Sequence, residues 1–339
     1  MNTMLKHLLI SCLLIVIYGC YSTNRLEVEL SGGIPMLEVT HLDTLLFGHL
    51  SAGFQWNDSL VQSNEALLKV YIEEILQVAA YEDQYMPQKL AQFVETPHWE
   101  ELQQVVDSAF YPFDNYQAAF ENAFAHYQYH FPGAPIPKLF TYNSGFNYGV
   151  FPTDSTIGVG LEWYIGSQHA IVERLPGEIF PQYLKKNMES EYLVADALKG
   201  WFLVKNYHPD LLKSNFLENL IFYGKALYLV DACLPYEKDQ VKLNYTNSEL
   251  KWVNDNLKNI WAEIVKNKWL FTKDRKVMNQ WLLDAPFTKG LPQESPGKVG
   301  VWLGLEMVRQ YMNKHEDKPL SALNDVPAEQ ILKNFKPNK

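Results

Sequence analysis

An apolar run near the N-terminus sets where the folded body of this chain begins. The run extends from Leu8 to Ile17 and follows a basic residue, Lys6. A helix of this length is too short to cross a hydrocarbon core of about 30 Å. We therefore predict that residues 1–19 form a signal peptide that is removed on export, rather than a retained membrane-spanning helix.

The end of this run, Ile17-Tyr18-Gly19-Cys20, resembles the lipobox of bacterial lipoproteins. A small residue lies just before the predicted cut, although Tyr18 is bulkier than the usual residue at its place. The Cys20 thiolate is nucleophilic enough to accept a diacylglyceryl group, and each buried methylene of acyl chains such as palmitate stabilises membrane binding by about 0.8 kcal/mol. We predict lipid attachment at Cys20. The alternative is an ordinary secretory signal in which Cys20 is incidental.

The other cysteines give the mature chain no intramolecular disulfide. Cys12 leaves with the predicted signal peptide and Cys20 is acylated, so Cys233 remains alone in the apolar stretch "LVDACLP". The fold must then be held by its hydrophobic core. Between a reactive nucleophile and a small buried hydrophobe, we interpret Cys233 as the latter.

Composition and charge narrow the class of protein. The chain is 47% hydrophobic and 20% charged, with a formal net charge of −10. This charge disfavours nucleic acid as a partner, and also adsorption to anionic lipid beyond the anchor itself. No long Gly/Ser linker interrupts the chain, so we predict a lipidated tether over 20–35 and a single globular domain over 36–339.

Hydrophobic periodicity predicts an α+β fold that is mostly helical, with a small central sheet. The sheet strands are expected in "MLEVTHLDTLLF", "IPKLFTYNS" and "STIGVGLEWYIG". Apolar residues at helical spacing predict the helices. Their expected ranges are 65–80, about 102–109, 116–127, 189–205, 215–230, 246–264 and 299–312.

Capping residues and glycines refine this assignment. Asn215 and Thr246 are each followed three places later by Glu, the spacing of a capping box. Pro296 suits the first turn of the last large helix.

The last large helix carries two glycines, Gly300 and Gly304, that lie one turn apart. This spacing predicts that another element approaches the helix backbone closely. The helix is apolar on nearly all sides, so we expect it to be buried among the helices that carry Trp201, Tyr223 and Trp261.

Two histidines form the sharpest candidate for metal chemistry. His126 and His130 lie at i and i+4, the spacing of a zinc protease helix, but Tyr127 stands where such a helix needs a general-base Glu. The alternative is that these histidines end a helix before Pro132, where imidazole favours the C-terminal carbonyls. We prefer this interpretation and predict no catalytic residue, no metal site and no cofactor.

Charged residues on otherwise apolar helices are the remaining candidates. They could line a cleft, or they could pair with one another at helix interfaces, which we prefer because a charge at a packed interface needs a partner. The residues concerned are Asp196, Lys199, Lys225, Glu306 and Arg309.

The lipobox and the stretches "GVGLEWYIG", "EYLVADALKGWF", "FYGKALYLVDACLP" and "ESPGKVGVWLGLEMVRQYM" together resemble the gliding motility-associated lipoprotein GldB family of the Bacteroidetes. The resemblance covers nearly all of the mature chain. It implies an outer-membrane lipoprotein required for gliding and linked to the type IX secretion machinery, but it supplies no biochemical activity. Residues 21–24 hold no acidic run of the kind that sends some lipoproteins of this phylum to the cell surface, so we expect a periplasm-facing position.

A fainter similarity links "FYGKALYLV" to the gluzincin metallopeptidases. In that likeness Tyr223 occupies the position of the third zinc ligand, and the H-E-x-x-H positions fall on residues 195–199, where both histidines are missing. It implies a degenerate zincin-like scaffold without its metal. Its relic cleft would hold Asp196, Lys199, Tyr223 and Lys225, and a groove beside the "TIGVGLEWY" strand could bind an extended peptide.

Two functions therefore stay open. The first, which we prefer, is a non-catalytic pseudoenzyme that acts as a scaffold or binding component of the gliding and secretion machinery. The second is a periplasmic metal-dependent or otherwise unusual peptidase or hydrolase. The missing zinc ligands favour the first.

Overall fold

The computed structural model of the protein describes residues 24–30, 32–47 and 65–337. The predicted signal peptide and Cys20 lie outside these residues. The described part is mostly helical and contains one four-stranded sheet, so the predicted α+β class is confirmed. Within that part, none of the helices combines the length and the hydropathy that a bilayer-crossing segment needs.

The sheet has the order β1-β2-β4-β3. Its strands are β1 (Val39–His41), β2 (Lys138–Tyr142), β3 (Val150–Pro152) and β4 (Thr156–Gly160). β2 runs parallel to both β1 and β4, whereas β3 is antiparallel to β4 and forms an edge. The strands predicted at β2 and β4 are confirmed, and β3 was not predicted. The opening strand is shorter than expected because a helix begins at Leu42.

The α-helices of the described residues pack against this sheet and against one another. They are α1 (Leu42–Phe47), α2 (Met86–Val94), α3 (Pro97–Phe110), α4 (Asp114–His130), α5 (Ala170–Arg174), α6 (Gln182–Lys185), α7 (Leu193–Lys205), α8 (Phe216–Cys233), α9 (Asp239–Leu243), α10 (Asn247–Asp255), α11 (Leu257–Lys266), α12 (Arg275–Leu282), α13 (Val299–Lys314) and α14 (Ala328–Leu332). Residues 65–70 are also helical and continue into a π-helical turn, Tyr71–Ile75.

The sheet contributes side chains to two hydrophobic clusters, one on each face. Along β2, Leu139 packs into the larger cluster with α4, α7, α8 and α13, whereas Phe140 and Tyr142 pack into the smaller one with α1 and α2. Successive side chains of a strand point to opposite faces, which explains this division. The larger cluster also contains Leu26, so the tether contacts the body at this residue.

The most extensive helix contact joins α8 and α13. A Cβ atom built on Gly304 would lie 1.9 Å from the backbone oxygen of Leu220, and one built on Gly224 would lie 2.2 Å from the oxygen of Gly304. These distances confirm the predicted close approach. They also identify its partner as α8, the helix that carries Tyr223.

Several helix boundaries differ from the prediction. Both capping boxes are present, but the helix expected over 246–264 breaks at Asn256, whose side-chain amide donates to the oxygen of Trp252 at 2.9 Å. Such a side-chain bond competes with the helical ladder. The last large helix begins at Val299, as predicted, directly after Lys298, which adopts a left-handed conformation with a φ of 48°. Pro296 lies before this residue and not in the first turn of the helix.

Candidate functional site

A cleft of ≈ 400 Å³ lies where the edge strand β3 meets α7, α8 and the start of α13. Most of its wall is apolar, including Trp163, Leu203, Leu227 and Val301. The sheet positions β3 against α7 through Gly200, where an added Cβ would lie 3.0 Å from Val150. The small residue on α7 therefore lets the edge strand form one wall of the cleft.

Helical spacing brings the charged residues into this cleft. Asp196, Lys199 and Leu203 lie at i, i+3 and i+7 on α7, and Tyr223 and Leu227 lie at i and i+4 on α8. Residues three or four apart share a helix face. The structure thus brings together three of the four residues predicted for the cleft.

A closed hydrogen-bond network joins the polar groups of α7 to Asn244. The Lys199 ammonium donates to Asp196 at 2.8 Å and to the Asn244 side-chain oxygen at 2.6 Å, and the Asn244 amide donates to Asp196 at 3.0 Å. Asn244 caps the C-terminal end of α9. Its φ of 52° is a left-handed backbone conformation, which asparagine tolerates better than most residues. The pairing of Asp196 with Lys199 was predicted, whereas the role of Asn244 was not.

A second ion pair lies at the cleft mouth. The Lys298 ammonium lies 2.7 Å from an oxygen of Asp284, which is half-exposed. Burial raises the pKa of Asp284, but attraction to Lys298, Lys199 and Lys186 outweighs burial and lowers it below the ordinary value. The mouth therefore carries an ionised carboxylate among lysines.

Lys225 is not among the residues that line the cleft, and the relic-cleft hypothesis was wrong to include it. Its ammonium donates to the carbonyl oxygens of Asn324 at 3.0 Å and Val326 at 2.7 Å, beside a different cavity. Two residues along a helix are separated by about 200°, so Lys225 points away from the face that holds Tyr223. Burial lowers the pKa of Lys225 to about 8.

The histidine pair lies at the C-terminal end of α4, as predicted. The ring nitrogen Nδ1 of His126 lies 3.0 Å from the oxygen of Asn122, and His130 is the last residue of the helix. Burial lowers the pKa of His130 to about 4, so the ring is neutral and a charge–dipole attraction does not explain its place. Across the described residues, no three His, Cys, Asp or Glu side chains are grouped so that they could hold a metal ion.

Arg309 lies at the centre of an ionic network beside a cavity that Asn24 and Leu26 of the tether also line, and Lys242 of this network lines the cleft as well. Its guanidinium donates to Asp231 at 2.7 and 2.9 Å, to Asp239 at 2.7 and 2.6 Å, and to Glu306 at 3.1 Å. The Lys242 ammonium lies 2.6 Å from Asp231. The preferred interpretation, that Glu306 and Arg309 pair at a helix interface, is confirmed.

Cys233 lies in the core, as interpreted from the sequence. Its residue surface is 1% exposed, and burial raises the pKa of the thiol. A protonated, inaccessible thiol is a poor nucleophile.

Among the described residues that line the cleft there is no His, Cys or Ser. Its two carboxylates, Asp196 and Asp284, are engaged by Lys199 and Asn244 and by Lys298. The lining therefore offers a ligand an apolar wall flanked by paired charges.

The edge strand provides the remaining polar groups. Gly149 and Thr153 bond to β4 through the pairs Gly160 N to Gly149 O and Thr153 N to Thr156 O, both at 2.9 Å. Alternate residues of an antiparallel strand point their backbone groups to opposite sides, so the N–H and C=O of Val150 face away from β4. Val150 also lines the cleft.

Glu162 holds the turn that leads into β3, a role that was not predicted. One carboxylate oxygen accepts from the Ser144 backbone N–H at 2.8 Å, the Ser144 hydroxyl at 2.5 Å and the Phe146 N–H at 3.1 Å. Burial raises the pKa of Glu162 to about 7 despite these bonds.

The raised pKa of Glu162 makes stability depend on pH. Between the ordinary value of 4.5 and about 7, the folded state binds more protons than the unfolded state, so this contribution to stability is complete below pH 4.5 and is lost as pH rises to 7. In the wild type, we expect the free energy of unfolding to fall by on the order of 3 kcal/mol between pH 5 and 8 because of Glu162. Glu162→Gln, which does not titrate at this position, should remove this decrease. Urea unfolding across that range measures it, with exposed Glu178→Gln as control. Parallel profiles for Glu162→Gln and wild type would contradict the prediction.

The sequence model of the family described as "Gliding motility protein GldB" matches residues 23–337. Neither a search of curated proteins nor a search of solved structures found a match. Because the family match includes the cleft, the ionic network and both capping boxes, nearly the whole fold falls within it. The chain belongs to the GldB family of gliding motility lipoproteins.

Proposed function

We propose that this protein is a non-catalytic binding component of the gliding apparatus, associated with the type IX secretion machinery. A lipid on Cys20 holds it on the periplasmic side of the outer membrane. Family membership supports the role in gliding, and the sequence "IYGC" supports the anchor. The acidic net charge leaves the acyl chains as the main source of membrane affinity.

The cleft beside β3 is the binding site in this proposal, and its ligand is an extended segment of a polypeptide. The main support for this site is that the backbone N–H and C=O of Val150 face away from β4 and lie beside an apolar wall. A peptide strand added at this edge would bond to these groups and place alternate side chains in the cleft. The charged pairs at Lys199 and Lys298 would contact polar parts of the same ligand.

The competing hydrolase function has weaker support. Asp196 and Tyr223 do share one cleft, as the zincin likeness implies, but a carboxylate and a phenol there do not replace two histidines and a glutamate. The likeness itself remains a prediction.

Replacing Cys20 with alanine is expected to move the protein from the membrane fraction to the soluble fraction. The reason is that acyl chains supply most of the membrane affinity in the proposal. Fractionation of cells with a metabolic lipid label measures the change. Cys12→Ala, the same substitution within the predicted signal peptide, should leave the protein membrane-bound. Membrane retention of an unlabelled Cys20→Ala protein at high salt would contradict the anchor.

Filling the cleft tests the binding function. Leu203→Trp places a larger side chain in existing space, so we expect a thermal midpoint near that of the wild type together with loss of gliding. Leu212→Trp is the matched control, because Leu212 is 64% exposed and lies outside the cleft. Cell spreading and thermal melts of both variants decide the question. Normal gliding of a folded Leu203→Trp strain would rule out this cleft.

A further inference from the structure

Arg25 joins the N-terminal tether to one end of the body. One Arg25 nitrogen donates to the carbonyl oxygens of Met312 at 3.1 Å and His315 at 3.2 Å, and the other donates to Lys318 at 2.7 Å. The next residue, Leu26, is 3% exposed in the larger hydrophobic cluster.

The physical basis of this contact is the end of α13. The last carbonyls of a helix have no partner within the helix and carry partial negative charge, which a cation near the axis stabilises. Met312 lies in the final turn of α13, and His315 is the residue that caps it. The Met312 and His315 oxygens also accept from the backbone N–H groups of His315 and Lys318, at 3.2 and 3.0 Å, so Arg25 adds a second, charged donor to each carbonyl.

The length of the chain brings this helix end close to the lipid. Only residues 21–23 separate Cys20 from Asn24. A fully extended chain spans at most about 3.6 Å per residue, so Cys20 lies within about 14 Å of Asn24. The surface around Arg25 must then lie near the bilayer in a protein that is anchored at Cys20.

The cleft lies at the opposite end of the same helix. Lys298 and Val301, at the start of α13, line the cleft, and about 20 Å of helix separates Lys298 from Met312. α13 is buried along most of its length, so it runs through the body rather than along its surface. The start of α13 therefore reaches the cleft, and its end reaches Arg25, about 20 Å further along the helix.

Resting on the proposed lipid attachment at Cys20, we propose that Arg25 docks the tether onto the end of α13, so that this end faces the bilayer and the cleft faces away from it. The bilayer-facing surface carries Lys314 and Lys318 beside Glu316 and Asp317, so its charges balance. Neither attraction to anionic lipid nor repulsion from it sets the orientation. The ligand of the cleft would then be reached from the periplasm, as suits a protein segment rather than a lipid.

The experiment uses the full-length lipidated protein in phosphatidylethanolamine and phosphatidylglycerol vesicles that contain lipid with a nitroxide-labelled headgroup. A fluorophore is attached to one added cysteine, either Asn313→Cys near the dock or Leu283→Cys at the cleft. Leu283 is 50% exposed, and Cys233 is buried and so does not compete for the label. We expect quenching to be several-fold stronger at position 313 than at position 283, because the nitroxide acts at short range.

Matched variants test the role of Arg25. Arg25→Ala should reduce the difference between the two positions, whereas Glu27→Ala, an exposed change in the same tether, should preserve it. Equal quenching at both positions in the wild type, or stronger quenching at 283, would overturn the orientation. A difference that survives Arg25→Ala would overturn the docking by Arg25. A protein that does not float with vesicles would overturn both the lipid anchor and this inference. A protein that floats but shows no difference in quenching would overturn the orientation alone.

Discussion

Replacing Gly304 with alanine is expected to leave little folded protein. The added Cβ would lie 1.9 Å from the backbone oxygen of Leu220 and 2.8 Å from its carbonyl carbon. Neither atom belongs to a flexible side chain, so α8 and α13 would have to separate, and both are buried along most of their length. We expect the free energy of unfolding to fall by about 3 kcal/mol or more, as overpacking at its upper end does. Urea unfolding of the purified variant and of the wild type measures the loss.

Two other glycines give a graded control for this prediction. A Cβ on Gly300 would lie 2.8 Å from the oxygen of Trp281 and 3.0 Å from a Leu220 methyl group, so Gly300→Ala should cost less than Gly304→Ala. Gly177 is exposed with no heavy atom within 4 Å of the added Cβ, so Gly177→Ala should change stability by no more than about 0.5 kcal/mol. Equal stability of the Gly304 and Gly177 variants would mean that the helices adjust far more easily than their packing indicates.

The close contact at Gly304 was predicted from a local sequence pattern alone. Gly300 and Gly304 are spaced at one helical turn, and a small residue on a buried helix signals close packing whatever the partner is. The capping boxes at Asn215 and Thr246 are equally local, since each needs only a side chain and a Glu three places later. Such features survive in any tertiary context, so they could be predicted from the sequence.

The candidate site could be predicted only in part, because its residues come from distant segments. Asp196 and Lys199 share a helix face, and their pairing follows from spacing alone. Asn244 and Lys298 join them from loop positions with left-handed backbone, which no periodic pattern reveals. The edge strand β3 has only three residues, too few for an alternating pattern to stand out.

Lys225 shows the limit of carrying positions over from a resemblance. The zincin likeness placed Tyr223 in a cleft, and a neighbouring cation in the sequence was then assigned to the same place. Helical geometry separates the two side chains by about 200° and directs Lys225 to the carbonyl groups of residues 324 and 326. The angular spacing of residues along a helix is known from the sequence alone, and it would have excluded Lys225 from the cleft.

The second large effect is expected at the ionic network around Arg309. The Asp231 side chain is 6% exposed and contacts both Lys242, which is 5% exposed, and Arg309. Asp231→Asn removes the negative charge between two cations that have little access to water. Breaking one partner of a buried ion pair costs about 3–5 kcal/mol, and we expect a loss of this size. Gliding would fail through loss of folded protein rather than through the cleft.

The control for this prediction is an ion pair on the surface. Lys251 and Asp255 pair at i and i+4 with side chains 74% and 57% exposed, so Asp255→Asn should cost no more than about 0.5 kcal/mol. Denaturant unfolding of the two Asp→Asn variants compares the same chemical change at opposite degrees of burial. If both lose equally little stability, the Asp239 and Glu306 carboxylates suffice to balance the two cations. A large loss only at Asp231 would show that burial makes this carboxylate necessary for folding.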